Sequence, residues 1–160
     1  MSIRNLMSIA VLATAIVVGA STTVATADIS KAVIGAFRGK LIITKGELPE
    51  GKNDKDTIAK IKAANLTSLD GEARDDVQHW HFSYAAFLSK TGATTLKLEF
   101  YNGKQLSADK TLDGIDPKSG LLTGEISINE DEGLAKGKTY TIKLVTSGNA
   151  VVASTTLTMK

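Results

Sequence analysis

Cysteine is absent from all 160 residues, and that one absence removes disulfides, thiol catalysis, cysteine-based metal centres and anchoring through an acylated N-terminal cysteine. An extracytoplasmic domain without disulfides must be held by its core alone. Charge of one sign is missing as well: 19 Lys and Arg stand against 17 Asp and Glu. Nothing electrostatic therefore draws the chain to nucleic acid or to an anionic membrane surface. Histidine occurs twice and tryptophan once, and aromatic residues make up 5% of the chain, so each such side chain can be weighed individually.

Long apolar runs are also scarce, and the exception is informative. A single charge, Arg4, precedes a stretch from Leu6 to Ala20 that carries Ile9, Val11, Leu12, Ile16, Val17 and Val18. The stretch then dissolves into small residues and ends in Ala25-Thr26-Ala27. These are the n-region, h-region and cleavage site of a secretory signal peptide, so residues 1–27 are expected to be removed before Asp28, with a cut after Ala20 as the second choice. As a membrane anchor the apolar run falls short of the roughly 20 residues a bilayer requires. The remaining 133 residues, 28–160, fit one domain large enough to bury a core. They contain no second span and no low-complexity tail. The expectation is an exported protein, periplasmic or secreted, and the lack of cysteine suits a bacterial envelope better than a small eukaryotic extracellular module.

Turn signals and alternating segments fill that domain. AFRGKLIIT at 36–44 reads as a first strand, Phe37, Gly39, Leu41 and Ile43 sharing one face. Pro49 and Gly51 then break the chain, and Ile58 and Ile61 recur at helical spacing in a short helix that ends at Ala64, with Asp54 or Asp56 as cap and Asn65 as stop. No other helix is expected after the leader, and 67–76 reads as a loop. VQHWHFSYAAFL at 77–88 alternates Trp80, Phe82, Tyr84, Ala86 and Leu88 against His79, His81, Ser83, Ala85 and Phe87. Bulk on both faces marks a central strand. Residues 94–101 alternate cleanly, Asn102-Gly103 predicts a type I′ hairpin into 105–112, and strands follow at 121–128, 139–145 and 151–159. About seven strands spaced by turns predict an antiparallel, all-β sandwich with one short helix inserted after the first strand.

The stretch GLAKGKTYTIKLV, residues 133–145, resembles the corner and penultimate strand of immunoglobulin-like and fibronectin type III domains. The matching residues are Leu134, Gly137 and Tyr140, followed by inward Ile142 and Leu144. Trp80 on a central strand is similar to the buried tryptophan of such sandwiches. The resemblance implies an immunoglobulin-like fold in which the Tyr140 hydroxyl bonds back to nearby backbone. It implies no catalytic residues, and a fold of this kind does not dictate a function.

His79 and His81 are the candidate metal ligands. Side chains two apart on a strand share a face about 6.5 to 7 Å apart, a spacing at which two imidazoles can hold one Cu²⁺ or Zn²⁺. Further ligands would come from Asp75, Asp76, Glu99 or the freed amine of Asp28. Without a cysteine the site cannot be a blue-copper centre, and without a third histidine it cannot be a superoxide dismutase-like one. The acidic turn Asn129–Gly133 matches no dedicated Ca²⁺ loop and reads as a solvated connection. Serines and threonines abound, yet none sits in a nucleophile elbow. The sequence thus points to a non-enzymatic interaction or structural module that binds a protein or glycan partner of the envelope, with a metal-binding protein built on His79 and His81 as the alternative. Tyr101, beside the Asn102-Gly103 hairpin, is expected to project from an outer strand face.

Overall fold

A computed structural model of the protein describes residues 29–160, and the leader and cleavage site expected from the sequence lie outside these residues. The first element is a helix, α1 (Lys31–Ala36), where the sequence had suggested coil leading into a strand. Ser30 caps it by accepting the Val33 amide, and Val33 and Phe37, four apart, are buried on one side. Gly39, at φ 77°, then turns the chain, so the first strand, β1 (Leu41–Thr44), starts five residues later than its alternation implied. The second helix, α2 (Asp54–Ala64), spans the expected residues and stops at Asn65. Its cap is Asn53, which accepts the Asp56 amide at 3.0 Å. Asp56 instead accepts the Lys52 amide, which holds its carboxyl below the usual range.

Two short strands, β2 (Ser68–Leu69) and β3 (Glu72–Arg74), occupy the segment read as a loop. At two and three residues they are too short to show a period. β3 joins β4 (Val77–Phe87) through Asp75-Asp76, both at positive φ, which is the sign pattern of a type I′ turn. The expected type I′ turn at Asn102-Gly103 is corrected. The hairpin between β5 (Leu96–Asn102) and β6 (Gln105–Leu112) turns on Gly103-Lys104, and only Gly103 has positive φ, as in a type II′ turn. The chain continues through β7 (Leu121–Asn129), a single 3₁₀ turn (Glu130–Glu132), β8 (Thr139–Thr146) and β9 (Val151–Met159). The described residues therefore hold nine strands rather than seven, and two helices rather than one.

The strands form two sheets. In the first, β7 pairs along one edge of β4 while β1 and β3 share its other edge. The second runs β2-β9-β8-β5-β6, antiparallel except for the short β2–β9 pair. The faces that meet are those the period-two pattern assigned inward: Trp80, Phe82 and Tyr84 from β4 pack with Leu98 and Phe100 from β5 and Ile142 from β8, all at most 3% exposed. A second, smaller core lies outside the first sheet. There Val33, Phe37 and Ile61 from the two helices cover Ile42, Ala85 and Phe87, which explains why β4 carries bulk on its outer face at its C-terminal end only. Tyr140, at the start of β8, accepts the Ala135 amide through its buried hydroxyl at 2.9 Å. Among the described residues, no helix is long and apolar enough to cross a membrane.

Candidate functional site

The helices cover only one end of the first sheet's outer face. Beyond Ala85 and Leu121, the outward residues of β4 are Ser83, His81 and His79, and those of β7 are Thr123, Glu125 and Ser127. The register sets them side by side: Ser83 faces Glu125, and His81 faces Ser127. The result is a polar shelf two strands wide with a depression at either end. One, of about 450 Å³, is walled by the β1–α2 loop and carries Thr44, Glu47, Glu50, Ser83, Thr123 and Glu125 over an apolar floor that includes Leu48 and Leu121. The other, of about 430 Å³, is lined by Lys45, Glu72, Arg74, His79, His81 and Ser127.

Both candidate ligands lie in this second depression, on the shared face that strand periodicity assigned to them. His81 is exposed. Its Nδ1 lies 2.8 Å from Ser127 Oγ, and its Nε2 is 3.9 Å from Glu125 Oε2. His79 is half-buried between Glu72 and Asn129 on the neighbouring strands. The further ligands considered from sequence do not converge on the pair. Asp75 and Asp76 form the β3–β4 turn, Glu99 is on the other sheet and accepts the Tyr101 hydroxyl at 2.8 Å, and Asp28 lies outside the described residues. Glu72, which does line the depression, is held by Arg74 at 2.7 Å, and this guanidinium keeps its carboxyl below the usual range. Among the described residues no group of three or more His, Cys, Asp and Glu side chains could hold a metal ion.

The acidic turn is organised from within. Asn129 and Glu132 form a capping box, Glu130 accepts the amides of Gln78 and Lys136, and Glu132 also meets the Lys110 ammonium. Tyr101 lies half-buried on the outer face of the second sheet, with Lys143 Nζ 4.4 Å from its ring centre. Its hydroxyl donates to Glu99, and that bond holds the phenol pKa above its ordinary value.

Tyr84 borders the first depression, and its ring is buried over Gly124, its partner on β7. A Cβ added at Gly124 would stand 2.7 Å from the Tyr84 hydroxyl, so the glycine leaves the room that the ring takes. The hydroxyl has no hydrogen-bond partner within the described residues, which contain no fully buried unpartnered side-chain oxygen. Burial pushes its pKa from 10.0 up to about 12. The folded state thus holds this proton more tightly than the unfolded chain, and the corresponding stability is complete below pH 10 and lost as pH rises toward 12. Two units correspond to about 2 to 3 kcal/mol. Urea titrations across that window are expected to show a steep loss in the parent protein and a shallower one in Tyr84→Phe. Equal slopes would contradict this account.

No protein-family model matches the sequence, and the comparison with curated proteins returns no match. Among solved structures, the chain is similar to part of the Bifidobacterium dentium β-glucuronidase complexed with coumarin-3-O-glucuronide, at 15% identity and a TM-score of 0.40. The match covers 75% of this chain and 16% of the glucuronidase. The chain therefore aligns with a small fraction of that protein's length. What the structure itself establishes is a β-rich, two-sheet, sandwich-like domain without cysteine.

Proposed function

We propose that this chain is an exported, non-enzymatic β-sandwich that serves as an interaction or structural module of the periplasm, cell envelope or medium, with a protein or glycan of the envelope as its partner. The observation that carries the reading is the shelf formed by β4 and β7. The helices bury the apolar end of this face, and the remainder is an open surface of hydroxyl, imidazole and carboxylate groups with a depression at each end. Such short polar side chains on a rigid sheet suit recognition of a polar partner. Export rests on the leader at residues 1–27.

An immunoglobulin-like topology is part of the same proposal. The strand orders support it: β1-β4-β7 corresponds to strands A, B and E, and β9-β8-β5-β6 to G, F, C and C′, with β2 as a short A′ strand parallel to β9. The Tyr140 hydroxyl bonded to Ala135 at the entry to the penultimate strand is the contact a tyrosine corner requires. The helices and β3 are additions to that plan.

The test is binding by the parent protein and by a Ser83→Lys/Ser127→Lys variant, whose substitutions lie on the shelf and are expected to change stability by less than about 1 kcal/mol. Glycan arrays and immobilised envelope fractions supply the partners. Saturable binding by the parent, weakened about tenfold in the variant, is the expected result. Equal binding by both proteins would overturn the assignment of the shelf. Turnover of nitrophenyl glycosides or esters that is lost in Glu125→Gln would overturn the non-enzymatic reading.

A further inference from the structure

The geometry points to β7 as a docking edge that accepts an extended, basic peptide segment as an added strand. This rests on the reading of the domain as a binding module and specifies how one class of partner is held. The direction of the β7 backbone sets which of its groups reach the edge. Leu88 N donates to Gly120 O, and antiparallel ladders alternate bonded and non-bonded residues. Leu122, Gly124, Ile126 and Ile128 therefore turn their backbone groups toward β4, while the odd-numbered residues turn theirs outward. At the two ends these outward groups are occupied: Ser119 Oγ bonds both N and O of Leu121, and Glu132 accepts the Asn129 amide. Between them, the N–H and C=O groups of Thr123, Glu125 and Ser127 have no partner among the described residues.

Sheet edges are ordinarily guarded by charges, bulges or shortness. The other long edge of this sandwich is guarded. β6 carries Asp109 and Lys110, and a register shift interrupts its pairing with β5 between Phe100 and Tyr101. β7 keeps an unbroken register with β4 over nine residues and has one charged residue, Glu125. An unguarded edge with free donors and acceptors is the template for strand addition.

Charge identifies the occupant. A residue docked opposite Glu125 projects onto the same outer face, beside the depression that holds Glu47, Glu50 and Glu125 and no basic side chain among its described lining residues. A Lys or Arg at that position meets opposite charge. A second copy of this chain fits worse: the symmetric pairing that engages all three free positions sets Glu125 directly opposite Glu125, and like charges in that arrangement destabilise the pair.

The test uses short labelled peptides that alternate valine with lysine, or valine with glutamate, and follows backbone amide exchange by NMR. Without peptide, the amides of Thr123, Glu125 and Ser127 are expected to exchange fast and those of Leu122, Gly124 and Ile126 slowly. The lysine peptide is expected to bind saturably and slow the first set, with Glu125→Lys weakening it about five- to tenfold. N-methylation of the peptide at alternate residues supplies an arm independent of any protein variant: one phase abolishes binding and the other is tolerated. Protection confined to the shelf around His81 would remove the edge while leaving the binding module intact. Equal affinity for the two peptides, no binding of either, or protection of Thr123, Glu125 and Ser127 through concentration-dependent dimerisation would overturn the proposal.

Discussion

Gly133→Ala is expected to lower the melting temperature by about 10 °C or more, a loss of roughly 3 kcal/mol or greater in a domain of this size. Gly133 closes the 3₁₀ turn after β7 with φ at 106° and donates its amide to Glu130 O at 3.0 Å. That backbone conformation costs a side-chain-bearing residue about 1–3 kcal/mol. Space makes the cost larger. A Cβ built there would stand 2.1 Å from the backbone oxygen of Ser107 on β6, and main-chain atoms of a paired strand cannot swing aside as a lysine tip would. Either the turn lifts off the second sheet or β6 bends, and overpacking of this kind adds about 1–3 kcal/mol. Gly103→Ala is the control. Its φ is 61°, but nothing lies within 4 Å of the added methyl, so it is expected to cost only the left-handed strain of about 1–2 kcal/mol. Thermal unfolding of the two variants side by side checks the argument, and equal losses would show that the Ser107 contact is not what constrains position 133.

Trp80→Ala is the second large effect, expected at about 3–5 kcal/mol in urea titration. The side chain is 1% exposed and is the largest fully buried one among the described residues. Its removal opens a cavity between the sheets and deletes the 3.3 Å hydrogen bond from Nε1 to the carbonyl of Lys160. Trp80→Phe separates the two contributions, because it keeps much of the packing and drops the bond, worth about 0.5–1.5 kcal/mol. Val151→Ala, at a side chain 53% exposed, should change stability by no more than about 0.5 kcal/mol. If Trp80→Ala were as mild as Val151→Ala, the main core would not lie where the structure places it.

The sequence made β4 readable because its alternation runs through Trp80, Phe82 and Tyr84 without interruption, and the same held for β5, β7, β8 and β9, whose apolar positions repeat every second residue. The long helix was readable from Ile58 and Ile61. α1 was not, since KAVIGA holds a glycine and two β-branched residues, a combination that argues against a helix on propensity alone. Its packing against α2 and Phe87 decides the matter. β2 is held by a strand far along the chain, β9, which no local pattern reveals, and β3 is a three-residue hairpin arm on β4, too short to show a period. The site divides in the same way. That His79 and His81 share a face follows from strand period, whereas Ser127 and Glu125 reach His81 only through the β4–β7 register. Glu47 and Glu50 arrive from a loop whose path is set by tertiary structure.

β9 lies inside the second sheet, between β2 and β8, and the backbone of Lys160 bonds Leu69, Gly71 and Trp80. A chain synthesised N-terminus first therefore cannot complete the second sheet, or form the Trp80 hydrogen bond, until β9 and Lys160 have emerged. The domain cannot lock halfway. Cooperative folding of the two sheets is thereby deferred until β9 is available.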